Sequence, residues 1–113
     1  MHEMSLAESV LQIVEESARV QQARRVHGVV IEIGSLAAVE PDAMRFCFDA
    51  VTRGSIAEGA QLEIIETPGQ GWCLDCGKTV QLVERYGLCP ECNGTQIEIT
   101  GGNEMRVKEL AVE

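Results

Sequence analysis

The chain has 113 residues, enough for one domain or for a small core carrying a metal-stapled module. Apolar residues make up 45% of it but aromatic ones only 4%, so any core must be mainly aliphatic. Lys and Arg number 9 against 18 Asp and Glu, and a net charge of −9 is poorly suited to gripping a phosphate backbone, while it suits cation handling or a basic protein partner.

The opening Met1-His2-Glu3-Met4-Ser5 has neither a cationic flank nor an apolar run behind it, so no signal peptide is expected. No apolar stretch approaches the length of a membrane span. Five cysteines, four of them in Cys-x-x-Cys pairs, fit a reducing compartment, and a cytoplasmic protein is expected.

Residues 4–22 place Leu6, Val10, Ile13, Val14 and Val20 near helical spacing, with Glu8, Glu15, Glu16 and Arg19 elsewhere. Ser5 and Glu8 stand as in a capping box, which puts the start of this helix near Ser5 and leaves Met1–Met4 as a short arm. Val26–Gly34 reads as a strand with Val29, Ile31 and Ile33 on one face and Val30 and Glu32 on the other. Glu40-Pro41-Asp42 opens a second helix, whose buried face is Met44, Cys47, Phe48 and Val51 and whose end is near Gly54. Gln61–Thr67 is a further strand, broken by Pro68-Gly69. Thr95–Thr100 and Met105–Val112 are strands either side of a Gly101-Gly102-Asn103 turn.

Between Gly69 and Thr95 lie Cys73-Leu74-Asp75-Cys76-Gly77 and Cys89-Pro90-Glu91-Cys92-Asn93-Gly94, the two pairs separated by 12 residues. Two thiolates spaced i and i+3 on a tight turn can face one ion, and two such turns close a tetrahedral S₄ site. Gly77 and Gly94 are expected to give each turn an unhindered backbone, and Pro90 to stiffen the second. Soft thiolates select zinc or iron, so a rubredoxin-like iron centre stays open beside zinc. With four protein ligands no position is left for substrate, which makes the site structural; two disulfides are the alternative. The resulting expectation is an α+β fold: a small mixed β-sheet packed with two helices, plus an inserted rubredoxin-like zinc ribbon. Residues 1–70 and 98–113 form the α/β domain and residues 71–97 the ribbon, which interrupts two strands able to pair with each other.

The first three residues are a second metal candidate. A terminal amine, the amide nitrogen of His2 and its imidazole can form fused chelate rings, which nickel(II) or copper(II) favours in square-planar form and zinc does not. The bulky residue after Met1 keeps the initiator, and its amine, in place. Glu3 and Glu40 could add carboxylates. The bland alternative is a frayed terminus with a solvated histidine.

Met1-His2-Glu3-Met4-Ser5-Leu6, Ile33-Gly34-Ser35-Leu36 through Val39-Glu40, the four cysteines and Gly102-Asn103-Glu104-Met105, taken together and in this order, resemble the HypA/HybF family of hydrogenase nickel-incorporation proteins. The resemblance implies a nickel metallochaperone whose α/β domain carries nickel and whose ribbon holds zinc. It would deliver nickel(II) to the large-subunit precursor of [NiFe]-hydrogenase, together with a nickel-binding GTPase of the same pathway, and in some members serve urease. By the same resemblance His2 matches the nickel ligand, Glu3 its neighbouring acid, Glu40 an acidic position near the nickel, and Cys73, Cys76, Cys89 and Cys92 the zinc ligands. Some relatives carry His after the second cysteine of each pair, where the zinc site is linked to acid sensing. Here those positions are Gly77 and Asn93, so an all-thiolate site is expected.

The remaining conspicuous residues have plainer readings. Cys47 is a small buried hydrophobe, His27 a surface or edge residue, and Met4, Met44 and Met105 core filler. Trp72 is expected at the seam between core and ribbon. No catalytic triad, phosphate-cradling loop or acid pair is present, so an enzyme is not expected. The rival readings are a zinc-ribbon module for protein or nucleic-acid interaction and an iron electron carrier. Monomer and homodimer are equally compatible with the sequence.

Overall fold

A computed structural model describes residues 2–84 and 87–113. The terminal amine of Met1, and Arg85 and Tyr86, lie outside the described residues. Helix α1 (Glu3–Val20) is followed by β1 (Val26–Gly34), a 3₁₀ turn (Ser35–Ala37), α2 (Pro41–Val51), β2 (Gln61–Thr67), β3 (Gly69–Cys73), β4 (Lys78–Leu82), β5 (Ile97–Gly101) and β6 (Met105–Val112). The strands form two three-stranded sheets, ordered β2-β1-β6 and β4-β3-β5. This is the expected α+β fold. No helix among the described residues is long and apolar enough to cross a membrane.

The chain groups into two compact units, one of Met1–Glu32, Val39–Ile65 and Arg106–Glu113, the other of Ile33–Ala38 and Glu66–Met105. Strand β1 alternates as its sequence suggests, with Val29 and Ile31 buried in the first unit and Ile33, also buried, at the start of the second. Strand β6 runs antiparallel to it: Glu113 bonds the backbone of Arg24 and Arg25, and Arg106 pairs with Glu32 at 2.8 Å. Helix α2 buries Met44, Cys47 and Phe48, as expected, and leaves Phe46 73% exposed.

Helix α1 differs from its sequence reading in two ways. Its buried face is Glu3, Ala7, Val10, Val14 and Ala18, while Ile13 and Val20 are exposed. Alanines line the stripe because α1 packs on α2, and small side chains let helices approach closely. The helix also begins at Glu3 rather than Ser5; His2 is its N-cap residue and its carbonyl accepts the Leu6 N–H at 3.0 Å. Ser5 lies inside the first turn, where its carbonyl accepts the Ser9 hydroxyl. The reason is tertiary. Glu3 is anchored to the backbone of Glu40, so the first turn is pinned and residues 2–4 are not a free arm. Met4 accordingly points outward instead of filling the core.

The second unit is the cysteine-bearing ribbon. Strand β3 is central, antiparallel to both β4 and β5. The two strands expected to pair across the insertion do not: β2 joins β1, and β5 belongs to the ribbon sheet. The ribbon core is Leu36, Cys73, Val80, Leu82 and Cys89, edged by Cys76, Ile97 and Ile99. Leu36 comes from the 3₁₀ turn after β1, held by its N–H to Gly102 O at 2.8 Å. Trp72 alternates away from this core and is 40% exposed.

Candidate metal centre

Each cysteine pair sits on a turn of the same construction. Strand β3 delivers Cys73, whose carbonyl accepts the Gly77 N–H at 2.8 Å, and β4 departs at Lys78. In the second turn the Cys89 carbonyl accepts the Asn93 N–H at 2.8 Å. The fifth residue of each turn must take positive φ to close it, 66° at Gly77 and 60° at Asn93. Asparagine tolerates that region better than most residues do. The second special position is therefore Asn93, not Gly94. Gly94 lacks a side chain for another reason: a Cβ there would overlap the Asp75 carboxylate.

The two turns bring the four sulfurs within 4.8 Å of one another. Cys73 Sγ lies 3.6 Å from Cys92 Sγ, and Cys76 Sγ 3.9 Å from Cys89 Sγ. A tetrahedral zinc with bonds near 2.3 Å needs sulfurs about 3.8 Å apart. The donor set fits that ion, and a disulfide, with sulfurs about 2.05 Å apart, is not formed. Cys73 and Cys89 are buried in the ribbon core, Cys76 is half-buried and Cys92 exposed. Lys78 Nζ reaches Glu91 Oε1 from one turn to the other at 3.8 Å.

The protonation states of the sulfurs diverge. The Cys76 N–H brings Cys73 down to about 7, against the cost of its burial. Burial, and then the neighbouring sulfurs, push Cys76 up to about 12. Cys92 is also raised: the Gly94 N–H favours its thiolate, but burial and the sulfurs of Cys73 and Cys89 outweigh that.

A second constellation lies at the start of α1. Glu3 is only 4% exposed. Its Oε2 accepts the Glu40 N–H at 3.1 Å, and its Oε1 has no hydrogen-bond partner. The Glu40 N–H holds the Glu3 carboxyl below its usual range, helped by the N–H of Glu3 itself. Glu40 caps α2: Oε1 accepts from Asp42 N–H at 3.3 Å and Oε2 from Ala43 N–H at 2.8 Å. His2 is exposed beside this pair. Both helices thus present their positive ends here, where carboxylates are stabilised and a cation needs anionic ligands to offset the dipoles.

A family model described as hydrogenase/urease nickel incorporation, metallochaperone, hypA, matches residues 1–112. The chain belongs to the HypA family. It is 61% identical over all 113 residues to a hydrogenase maturation factor HypA from Dechloromonas aromatica, and 58% identical to that from Albidiferax ferrireducens, each covered in full. It also resembles the solution structure of the Ni metallochaperone HypA from Helicobacter pylori, with TM-score 0.72 and 30% identity over 99% of this chain and 97% of that one. The HypA family is one of metallochaperones and maturation factors, not of enzymes.

Of the residues singled out in the sequence, the four cysteines converge in one cluster, and Glu3 meets the backbone of Glu40 at the head of α1, where His2 is the N-cap residue. His27 is apart from both, bonded to Glu113 Oε1 at 2.8 Å on the surface. Cys47 is buried and free. Leu36 was missed, because nothing local marks a leucine in a short turn as part of a distant cluster; its only signal was membership of the Ile33–Leu36 motif.

Loading the ribbon with zinc must strip protons from its thiols. A cysteine thiol of ordinary pKa, about 8.5, keeps its proton at pH 7, so each ion taken up by the four cysteines should release at least two protons. Calorimetry in buffers of different ionisation enthalpy counts them, and affinity should fall steeply on acidification. Zinc uptake without proton release would contradict the assignment of these thiols.

Proposed function

We propose that this chain is a nickel metallochaperone of the cytoplasm, which takes nickel(II) at its N-terminus and delivers it during maturation of [NiFe]-hydrogenase. Nickel is its cargo, held by His2 with the backbone of the first residues and by Glu3, at the head of α2 where Glu40 stands. The observation that carries this reading is Glu3: a buried carboxylate one residue after His2, with one oxygen left unpartnered, in a chain of a nickel-incorporation family. Such an oxygen lacks the hydrogen bonds it would have in water, and a cation compensates for that loss.

The site suits release as well as capture. It lies at helix N-termini, which disfavour a bare cation but stabilise an anionic amide nitrogen on His2. His2 is exposed, so a recipient can reach the ion. Zinc, when bound by Cys73, Cys76, Cys89 and Cys92, supplies a structural crosslink with no open coordination position. The ribbon it stabilises would present a docking face to the nickel GTPase of the pathway or to the hydrogenase large-subunit precursor.

Delivery is directly measurable. Protein loaded with radioactive nickel, mixed with nickel-free large-subunit precursor and the maturation GTPase, should lose label to the precursor faster than nickel dissociates into chelator. Label that moves no faster than free dissociation would contradict delivery.

A further inference from the structure

Each polar group of Glu40, an exposed residue, has a hydrogen-bond partner. Its carboxylate turns back onto its own helix to accept the N–H groups of Asp42 and Ala43. Its carbonyl accepts the Met44 N–H at 2.9 Å, and its backbone is extended at φ −86° and ψ 118°, as an N-cap residue requires. Its remaining group, the N–H, donates to Glu3 Oε2. Glu3 Oε1 is left buried and unpartnered in the same place.

We propose that Glu40 is a positioning residue for the N-terminal cation site, acting through its helix cap and its N–H on Glu3 and not as a ligand. The inference rests on the nickel reading above and assigns the third acidic residue a different task from the first. The cap fixes the backbone of residue 40 at the head of α2. That backbone holds Glu3 Oε2, leaves Oε1 available to a cation and pins the first turn of α1. His2, the N-cap of that turn, is thereby held beside Glu3. What the site needs at position 40 is a side chain that caps a helix; a carboxylate as such is dispensable.

A pair of substitutions separates capping from ligation. Ser is among the best N-cap residues and offers no carboxylate, whereas Ala offers neither. Nickel titration of the untagged, zinc-loaded protein should give Glu40→Ser an affinity within about threefold of wild type, and Glu40→Ala one about tenfold or more weaker, the usual loss when a partner orienting a metal ligand is removed. In the nickel-free protein, amide exchange at residue 40 should be slow in wild type and Glu40→Ser and faster in Glu40→Ala. If Glu40→Ser loses nickel and Glu40→Ala loses it equally, the carboxylate is a ligand and the proposal is overturned. It is also overturned if Glu40→Ala binds like wild type, or if the two variants exchange alike. His2→Ala run alongside isolates the underlying reading: unchanged nickel binding there would remove the nickel site, while the exchange pattern would still decide whether the cap at residue 40 holds Glu3.

Discussion

Stripping zinc from the loaded protein with a chelator, or replacing Cys89 by Ser, is expected to unfold residues 66–105 while α1 and α2 remain helical. The ribbon's buried core is Leu36, Cys73, Val80, Leu82 and Cys89, so two of its members belong to the four-cysteine cluster itself. Its central strand contributes Gly69 and Gly71 to the buried side, and these bring no side chain to pack. Such a core is far below what a free-standing domain needs. A structural zinc contributes on the order of 10 kcal/mol in comparable peptides, enough by itself to decide between folded and unfolded. Hydrogen exchange read residue by residue should show protection lost across β3, β4 and β5 and kept in α1 and α2. Full protection of the ribbon in zinc-free protein would show that the cluster is incidental to its stability.

Gly34→Ala is expected to destabilise the protein by about 3 kcal/mol or more, an effect of the size seen when a well-packed interior is forced apart. A Cβ at residue 34 would overlap the carbonyl of Gly102 and crowd the Asn103 nitrogen at 2.6 Å. The obstacle is backbone, so no rotamer relieves it. Moving it breaks the bond from Gly34 N–H to Glu104 O and the bond from Leu36 N–H to Gly102 O, which seats Leu36 in the ribbon core. Gly102 has little room to give way, being at φ 88° with its own missing Cβ directed at Gly69 and Pro68. Gly54→Ala is the control. It has φ 77° but nothing within 4 Å, so it should cost only the left-handed strain, about 1–2 kcal/mol. Denaturant unfolding of both variants checks the contrast, and equal losses would refute the overlap.

What could be read in the sequence was what local chemistry determines. The cysteine spacing located the S₄ cluster because two tight turns leave thiolates few other arrangements. The alternation of Val29, Ile31 and Ile33 and the spacing of Met44, Cys47 and Phe48 each reported a single buried face. What escaped depended on distant partners. Ser5 and Glu8 make a respectable capping box, yet Glu3 begins the helix because Glu40, 37 residues away, holds it. Strands β3 and β5 pair with each other, though Gly69-Gln70-Gly71 shows little strand character, because Gly71 must admit Ile97 and Leu82. In the second turn Gly94 drew attention from Asn93, since glycine is the usual residue at positive φ and the asparagine beside it was overlooked. For Glu40 the family resemblance implies an acid near the nickel. Its engagement as a cap could not be read, because an acid at a helix head serves either purpose.

The most direct measurement is a nickel titration, followed by calorimetry and visible absorbance, on zinc-loaded protein with a native, untagged N-terminus beside His2→Ala. One stoichiometric nickel site in the parent, lost in the variant while zinc stays at one per chain, is the result expected if His2 and the first residues hold the cargo. Equal nickel binding by the two proteins would contradict it, and would leave the chain a zinc-ribbon interaction module with no nickel at its N-terminus.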